Sequence, residues 1–229
     1  MQIQGLQKLT LLDYPGRTAC TIFLSGCNFR CPFCHNTPLL TANAADGMGE
    51  EELLAFLKNR QGLLDGVAVT GGEPLLRPEL PALLEKIKAL GYAVKLDTNG
   101  AFPERLEQIV RAGLADYVAM DVKNSPARYA QTVGAVELDL APIDQSVSFL
   151  LRGTVDYEFR TTAVAELHDD ASFLNLADWL AGARRYFIQR FQPRDTVLRA
   201  GLSAPSEMQL HRWAELVRPK IHAVEIRGI

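Results

Sequence analysis

The chain has 229 residues, of which 48% are hydrophobic and 22% are charged, as is typical of a soluble globular protein with a substantial core. The net charge of -3 argues against a general nucleic-acid-binding protein, because such proteins carry a basic surface. The sequence has neither the roughly 18 consecutive apolar residues of a membrane span nor the basic start and apolar run of a signal peptide. We therefore expect one domain over residues 1–229 in the reducing cytoplasm, without nucleic-acid or membrane partners.

The first predicted strand covers residues 18–24 and follows a Pro–Gly turn at residues 15–16. Cys20 lies within this strand, where we expect it to pack as a small hydrophobic residue. A cysteine-rich loop follows, and residues 36–49, rich in Ala, Asn and Gly, are predicted to be a loop as well. The cysteines therefore follow the carboxyl end of this strand.

From residue 50 onward, helical and strand patterns alternate. The predicted helices are 50–58, 78–90, 103–112, 125–133, 143–152, 172–184 and 206–217, the last opened by Ser206 as N-cap. The predicted strands are 66–70, 92–96, 116–123, 156–163 and 186–191, with a short terminal strand at 223–226. This alternation predicts an α/β fold with a parallel sheet and helices outside it.

The main strands, from residue 18 to residue 191, number six, which is too few for a closed eight-stranded barrel, so we expect an open partial (β/α)6 barrel. In parallel α/β folds the working residues collect beyond the carboxyl ends of the strands. That rule predicts one site formed by Cys27, Cys31, Cys34, Gly71, Gly72, Glu73, Asp97, Thr98, Asn99, Asp121, Lys123 and Gln192.

Cys27, Cys31 and Cys34 form a C-x3-C-x2-C motif. Cysteine thiolates are the usual ligands of iron–sulfur clusters, and three of them would leave one iron of a four-iron cube open to other ligands. A structural zinc site normally has four ligands, often in two separated pairs, and His35 follows Cys34 too closely to be a comfortable fourth ligand. Disulfides suit small secreted domains. The motif therefore favours a cluster, and a zinc-binding or electron-transfer module is the non-enzyme alternative.

With Phe33 just before the last cysteine, this motif resembles the cluster loop of the radical S-adenosylmethionine (SAM) enzymes. The continuation Cys34-His35-Asn36 and the upstream Asp13-Tyr14-Pro15-Gly16 are similar to the glycyl-radical-enzyme activating branch. Within it, nearly the whole chain most resembles activators of anaerobic ribonucleoside-triphosphate reductase. The alternatives are activation of another glycyl radical enzyme, such as pyruvate formate-lyase, or small-molecule chemistry, such as that of 7-carboxy-7-deazaguanine synthase.

The resemblance implies an oxidoreductase whose Cys27, Cys31 and Cys34 hold a [4Fe–4S] cluster, with SAM chelating the fourth iron. Reductive cleavage of SAM would give methionine and a 5′-deoxyadenosyl radical, which removes a hydrogen atom from the α-carbon of a glycine in the partner. The implied partners are an anaerobic glycyl radical enzyme and flavodoxin or ferredoxin as electron donor. An open barrel mouth would suit a polypeptide substrate.

The resemblance also implies the residues that contact SAM. Phe33 would lie near the adenine, and the segment Gly71, Gly72, Glu73 and Pro74 would meet the amino group. A monovalent cation beside the SAM carboxylate would be held by Asp97, Thr98, Asp121 and the carbonyl of Ala119. Lys123 and Arg160 would place positive charge near SAM. Asn99 belongs to the same strand end as Asp97. Gln192 stands where a relative carries His.

Other polar and aromatic residues are predicted to have structural roles. We expect His168, His211 and His222 to be surface or helix residues rather than ligands. Trp179 and Trp213 are expected to pack on helices. The basic stretch Arg184, Arg185, Arg190, Arg194 and Arg199 could dock an acidic partner, but a solvated edge is the favoured interpretation.

Overall fold

The computed structural model describes residues 1–40 and 47–229. The strands are β1 (Gln2–Ile3), β2 (Gly5–Thr10), β3 (Ala19–Leu24), β4 (Met48–Gly49), β5 (Gly66–Gly71), β6 (Ala93–Thr98), β7 (Tyr117–Asp121), β8 (Asp156–Ala163), β9 (Tyr186–Arg190) and β10 (Val224–Arg227). The helices are α1 (Thr37–Leu40), α2 (Glu50–Lys58), α3 (Leu80–Ala89), α4 (Pro103–Arg111), α5 (Tyr129–Thr132), α6 (Ala141–Leu151), α7 (Asp170–Trp179) and α8 (Glu207–Val217).

One eight-stranded sheet has the order β10-β9-β8-β7-β6-β5-β3-β2, and β1 pairs with β4 in a separate ribbon. The pairs from β3 to β10 are parallel, and β2 adds an antiparallel edge to β3. The prediction of an α/β partial barrel with parallel strands is confirmed. Within the described residues, 1–40 and 47–229, no helix combines the length and apolar character needed to cross a membrane.

Helix α3 shows how the helices attach to the outside of the sheet. Leu80, Leu83, Leu84 and Ile87 have no exposed surface, and their spacing places them on one helical face. They belong to the same core cluster as Val67 on β5. Burial of each such side chain contributes about 1.5–3 kcal/mol, so the apolar face holds the helix against the sheet.

Several predicted boundaries differ from the structure. β2 was not predicted, because an edge strand lacks a buried face to impose alternation, and its Leu9 is 57% exposed. The predicted loop over 36–49 contains α1 and β4, and its residues 41–46 lie outside the described residues. The predicted helix 125–133 is a 3-10 turn, Pro126–Arg128, followed by the short α5. Helix α7 begins earlier than predicted because Asp169 caps it, its side chain accepting a hydrogen bond from Ser172 N, and it ends at Trp179.

Candidate active site

The cysteine loop begins where β3 ends, and backbone contacts fix both of its ends. Gly26 N donates to the carbonyl of Leu39 (2.8 Å). The guanidinium of Arg77 donates to the carbonyl of Ser25 from two nitrogens (3.0 and 2.7 Å) and to its hydroxyl (2.6 Å). A charged donor strengthens such bonds, so Arg77 holds the start of the loop against the segment that follows β5.

All three loop cysteines, Cys27, Cys31 and Cys34, are free thiols that line one cavity of about 410 Å³. Cys34 N donates to the carbonyl of Cys31 (3.0 Å), which tightens the turn between them. Burial raises the pKa of Cys31 to about 12 and also raises the pKa of Cys27. Because thiols bind metal as thiolates, loading of the site releases protons. Cys20 packs with no exposed surface in the core instead.

The donor set of this cavity fits an iron–sulfur cluster. Its thiols come from one short loop, and cysteine is the characteristic ligand of such clusters. Within residues 1–40 and 47–229, no group of three or more His, Cys, Asp or Glu side chains is placed to hold one metal ion. The ligands of a four-iron cube bind different irons and therefore stand further apart than ligands that share an ion.

The Gly71-Gly72 pair at the end of β5 packs against the cysteine loop. Gly72 N donates to the carbonyl of Leu24 (2.9 Å), and Asn36 Nδ2 donates to the carbonyl of Gly71 (3.0 Å). Gly71 has a φ of 128°, and a Cβ on Gly72 would overlap the carbonyl of Gly26. Only glycine allows this backbone approach, so the pair is required by contact with the loop as well as by any ligand.

Glu73 lies outside the cavity, fully buried behind its wall. Its carboxylate accepts hydrogen bonds from Thr98 Oγ1 (2.8 Å), Asn99 N (2.7 Å) and Leu75 N (3.1 Å). Burial raises the pKa of Glu73 to about 7, and these donors oppose the rise. Glu73 therefore joins the end of β5 to the end of β6, and Pro74 opens the buried 3-10 turn that follows it.

Asn99 is the link from β6 to the cysteine loop. Its Nδ2 donates to Asn28 Oδ1 (2.8 Å) and lies 3.9 Å from Cys27 Sγ. Through Asn99 and Glu73, the ends of two neighbouring strands set the position of the first cysteine.

Charged side chains form the part of the cavity opposite the loop. Arg160 on β8 joins two carboxylates: Nε donates to Asp121 Oδ1 (2.9 Å), and Nη2 lies 3.2 Å from Asp97 Oδ2. Lys123 Nζ donates to Asp121 Oδ2 (3.0 Å), and Lys95 Nζ pairs with Asp97 Oδ1. Burial alone would raise the pKa values of Asp97 and Asp121, but Arg160 and the lysines hold both below their usual range. Both carboxylates are therefore ionised at neutral pH.

The cavity brings together most of the residues predicted from the sequence: Cys27, Cys31, Phe33, Cys34, Gly71, Gly72, Asp97, Thr98, Asn99, Asp121, Lys123 and Arg160. Glu73 and Pro74 lie behind its wall. Gln192 lies in a neighbouring depression of about 250 Å³ that Arg190 and Arg194 also line. The carbonyl of Gln192 accepts a hydrogen bond from His35 Nε2 (2.7 Å), so its backbone is what contacts the loop.

Further residues line the cavity without having been predicted to do so: Asp13, Phe29, His35, Asn36, Leu40, Thr70, Thr162 and Gln189. Thr162 follows Arg160 by two positions on β8, so the period of a strand places both side chains on the same face. That periodicity could have identified Thr162. Asp13 precedes β3 and accepts a hydrogen bond from Thr21 Oγ1 (2.6 Å), a contact between segments that no local pattern reveals.

The prediction that His168 is a surface or helix residue is wrong. It is 4% exposed and lies in the connection from β8 to α7. Nδ1 accepts from Val164 N (3.1 Å), so Nε2 carries the proton and donates to the carbonyl of Lys123 (2.9 Å). Burial lowers the pKa of His168. The neutral imidazole of His168 therefore holds the backbone of Lys123, whose side chain lines the cavity.

Comparison with known families assigns the part of the chain that carries the cysteine loop to a superfamily. A model of the radical SAM superfamily matches residues 21–169. A candidate glycyl-radical enzyme activating enzyme of Methanocaldococcus jannaschii is 32% identical over 99% of this chain and 96% of its own length.

Two other relatives match part of the chain. A 7-carboxy-7-deazaguanine synthase of Hyperthermus butylicus is 37% identical over 50% of this chain and 48% of its own length. A pyruvate formate-lyase-activating enzyme of Clostridium pasteurianum is 33% identical over 54% of this chain and 52% of its own length. The matched segment therefore covers about half of this chain and about half of each relative.

Solved structures share the fold. A domain of a pyruvate-formate lyase-activating enzyme from Bacteroides vulgatus is 21% identical, with a TM-score of 0.57, over 71% of this chain and 99% of its own length. SuiB of Streptococcus suis bound to S-adenosylmethionine has a TM-score of 0.70 at 12% identity, over 91% of this chain and 52% of its own length. At these identities the likeness shows the fold alone.

Proposed function

The chain belongs to the radical SAM superfamily, and we propose that it is an activating enzyme that generates a glycyl radical on a partner enzyme, anaerobic ribonucleoside-triphosphate reductase being the first candidate. The observation that carries the proposal is the set of three free thiols from one loop, gathered at the mouth of an open parallel barrel. A relative named for this activity matches nearly the full length of both chains, which supports the activating branch.

In this proposal the chain's own residues bind and orient the cofactors. Cys27, Cys31 and Cys34 would hold a [4Fe–4S] cluster, as thiolates do in such proteins. When bound, the cluster would supply the one electron needed for reductive cleavage of SAM, and this cleavage would lead to removal of a hydrogen atom from a glycine α-carbon. Lys123 and Arg160 present positive charge to the same cavity, which suits the carboxylate of SAM.

Contacts from two neighbouring strand ends support the cysteine loop. The Gly71-Gly72 pair and Arg77 fix the cysteine loop from the side of β5. Asn99, held by Glu73, contacts it from the end of β6. A site that positions a reactive group relies on such supporting contacts, because small displacements lower the rate steeply.

Metal analysis of anaerobically purified protein tests the first step. About four irons and four sulfides per chain are expected for a [4Fe–4S] cluster. Stoichiometric zinc without iron would support the zinc-binding alternative and remove the proposal. A loaded protein that forms no 5′-deoxyadenosine with reductant and SAM would be an electron-transfer module instead.

Electron paramagnetic resonance tests the partner. The loaded protein is incubated with SAM, reductant and either anaerobic ribonucleoside-triphosphate reductase or pyruvate formate-lyase. A glycyl radical doublet that appears with the reductase alone supports the proposal. A doublet with pyruvate formate-lyase alone would support glycyl radical formation and identify pyruvate formate-lyase, rather than the reductase, as the partner. With reduced flavodoxin or ferredoxin in place of a chemical reductant, the same assay tests the proposed electron donor.

A second candidate is small-molecule chemistry of the 7-carboxy-7-deazaguanine synthase type. The match to one such enzyme at 37% identity over half of this chain favours it. Formation of 7-carboxy-7-deazaguanine by cell extract supplemented with the loaded protein, and not by extract alone, would support this reaction. We rank this reaction second because the activating relative matches nearly the full length of both chains.

A further inference from the structure

The interior of the barrel holds a lysine with almost no exposed surface. Lys95 is 1% exposed and lies on β6 two residues before Asp97, so both side chains point into the barrel from the same face of the strand. Its ammonium pairs with Asp97 Oδ1. Burial of an ionised group is costly unless it is paired, so this pair ties Lys95 to the wall of the cavity.

The side-chain atoms expected to hold a monovalent cation already have partners within the chain. Asp97 Oδ1 pairs with Lys95, and Asp97 Oδ2 lies 3.2 Å from Arg160 Nη2. The two oxygens of Asp121 accept from Arg160 Nε (2.9 Å) and Lys123 Nζ (3.0 Å). The hydroxyl of Thr98 donates to Glu73 (2.8 Å), and its oxygen accepts from Gly100 N (3.1 Å). The arrangement does not fit a metal cation at this position.

The balance of charge leads to the same conclusion. Lys95, Lys123, Arg160 and Arg227 pair with Asp97, Asp121 and the buried Glu158, which leaves one positive charge more than the three carboxylates neutralise. A further cation would add to this excess in a region of low dielectric, where like charges repel strongly. An anion would neutralise it.

We propose that Lys95 replaces the monovalent cation: its ammonium, together with Arg160, holds Asp97 in position, and the remaining positive charge binds the carboxylate of SAM. Lys95 is a positioning residue in this scheme. The identity of the ligand rests on the proposed function, but the absence of a cation requirement is a property of the folded chain and can be measured without SAM.

The first experiment uses the wild-type protein without cluster or SAM. Thermal unfolding is measured in choline chloride, sodium chloride and potassium chloride at equal ionic strength. A cation bound only by the folded state raises the melting temperature, so we expect the same melting temperature in all three salts. A higher melting temperature in sodium or potassium than in choline would overturn the proposal.

The second experiment measures SAM binding by calorimetry with the cluster-loaded protein in the same salts. We expect affinities within about twofold of one another, whereas an increase of about tenfold, or roughly 1.4 kcal/mol, in sodium or potassium would overturn the proposal. If SAM binds in none of the salts, the proposed function fails, and the unfolding experiment still decides the role of the cation.

The third experiment substitutes Lys95→Met, which keeps an unbranched side chain only one atom shorter and removes its charge. We expect SAM affinity in choline to fall about tenfold, with part of the loss restored by sodium or potassium, and we expect the variant's melting temperature to become cation-dependent. Lys88→Met is the matched control, because Lys88 pairs with Asp116 on the surface. Unchanged affinity in Lys95→Met, with no cation dependence, would overturn the proposal. If this variant does not fold, the two wild-type experiments decide.

Discussion

The carboxyl and amino ends of the same barrel strands have opposite characters. At the carboxyl end, Cys27, Cys31 and Cys34 line a cavity of about 410 Å³. At the amino end, the rings of Tyr14 and Tyr117, 2% and 5% exposed, lie 6.1 Å apart beside a more open depression of about 580 Å³. One end therefore presents reactive groups, and the other is filled by aromatic side chains.

Aromatic and charged side chains pack together at the amino end of the barrel. A Cβ at Gly66 would lie 2.9 Å from the ring of Tyr14. Arg17 lies over the ring of Tyr14 and Arg185 over that of Tyr117, each at 5.5 Å. Tyr117 also donates to the buried Glu158 (2.9 Å). These contacts join the amino ends of the strands to one another, whereas the carboxyl ends surround the open cavity.

The largest effect is expected from a change at the open end. Cys31→Ser should remove the cluster, because a hydroxyl is a poor replacement for a thiolate ligand of iron. Iron content and formation of 5′-deoxyadenosine should both fall to background. Cys20→Ala, in the core below, is the control and should load iron normally. Full iron content in Cys31→Ser would refute the assignment of the ligands.

Tyr14→Ala tests the amino end. We expect a loss of about 3–5 kcal/mol in the free energy of unfolding, as for other buried aromatic truncations, measured by urea denaturation. Iron content per folded chain should stay near that of the wild type. Tyr14→Phe, which loses the long hydrogen bond to Val94 O (3.5 Å) and the contact of the hydroxyl with Arg17, should be nearly neutral. If Tyr14→Ala folds stably but fails to load iron, the two ends are not separate in function.

Gly72→Ala tests the contact between β5 and the cysteine loop. The added Cβ overlaps the backbone of Gly26, so we expect a loss of about 3 kcal/mol in stability together with weaker retention of iron during gel filtration. Gly49→Ala is the control, because nothing lies within 4 Å of its added Cβ. Equal stability and iron retention in the two variants would show that the approach at Gly72 is not required.

The smallest effect concerns His168. Burial lowers its folded-state pKa below 6.5, so the unfolded chain binds a proton first as the pH falls. The stability that neutral His168 contributes is therefore complete above pH 6.5 and declines below it, by up to about 1.4 kcal/mol per pH unit.

The measurement is the free energy of unfolding between pH 5 and pH 7.5 in wild type and His168→Gln. Glu73, with its pKa raised to about 7, contributes with the opposite sign, since its share is lost as the pH rises. The difference between the two proteins isolates His168 because Glu73 is present in both. A difference that does not change with pH would contradict the role of His168.

Much of the site was predictable because it depends on local patterns. The C-x3-C-x2-C spacing keeps three thiols in one loop, and the alternation of strands and helices brings strand ends to one mouth. The resemblance to the radical SAM superfamily and its activating branch, drawn from these motifs, is confirmed by the comparisons. The roles of the individual SAM-contacting residues remain predictions.

What could not be predicted depends on contacts between distant segments. Glu73 belongs to the segment expected to meet the amino group of SAM, and the sequence did not reveal the three donors that hold its carboxylate behind the wall of the cavity. Lys95 has no local signal, since a lysine in a strand pattern is ordinarily placed toward solvent. His168 is buried because the connection after β8 folds back onto Lys123.

The amino-acid sequence by itself determined the thiol loop, the order of the elements and the open barrel, because these follow from spacing and periodicity along the chain. Only the tertiary structure decided which charged side chains pair inside the barrel and which face the cavity. Burial and ion pairing depend on neighbours from several strands, and a linear pattern contains no record of which strands those are.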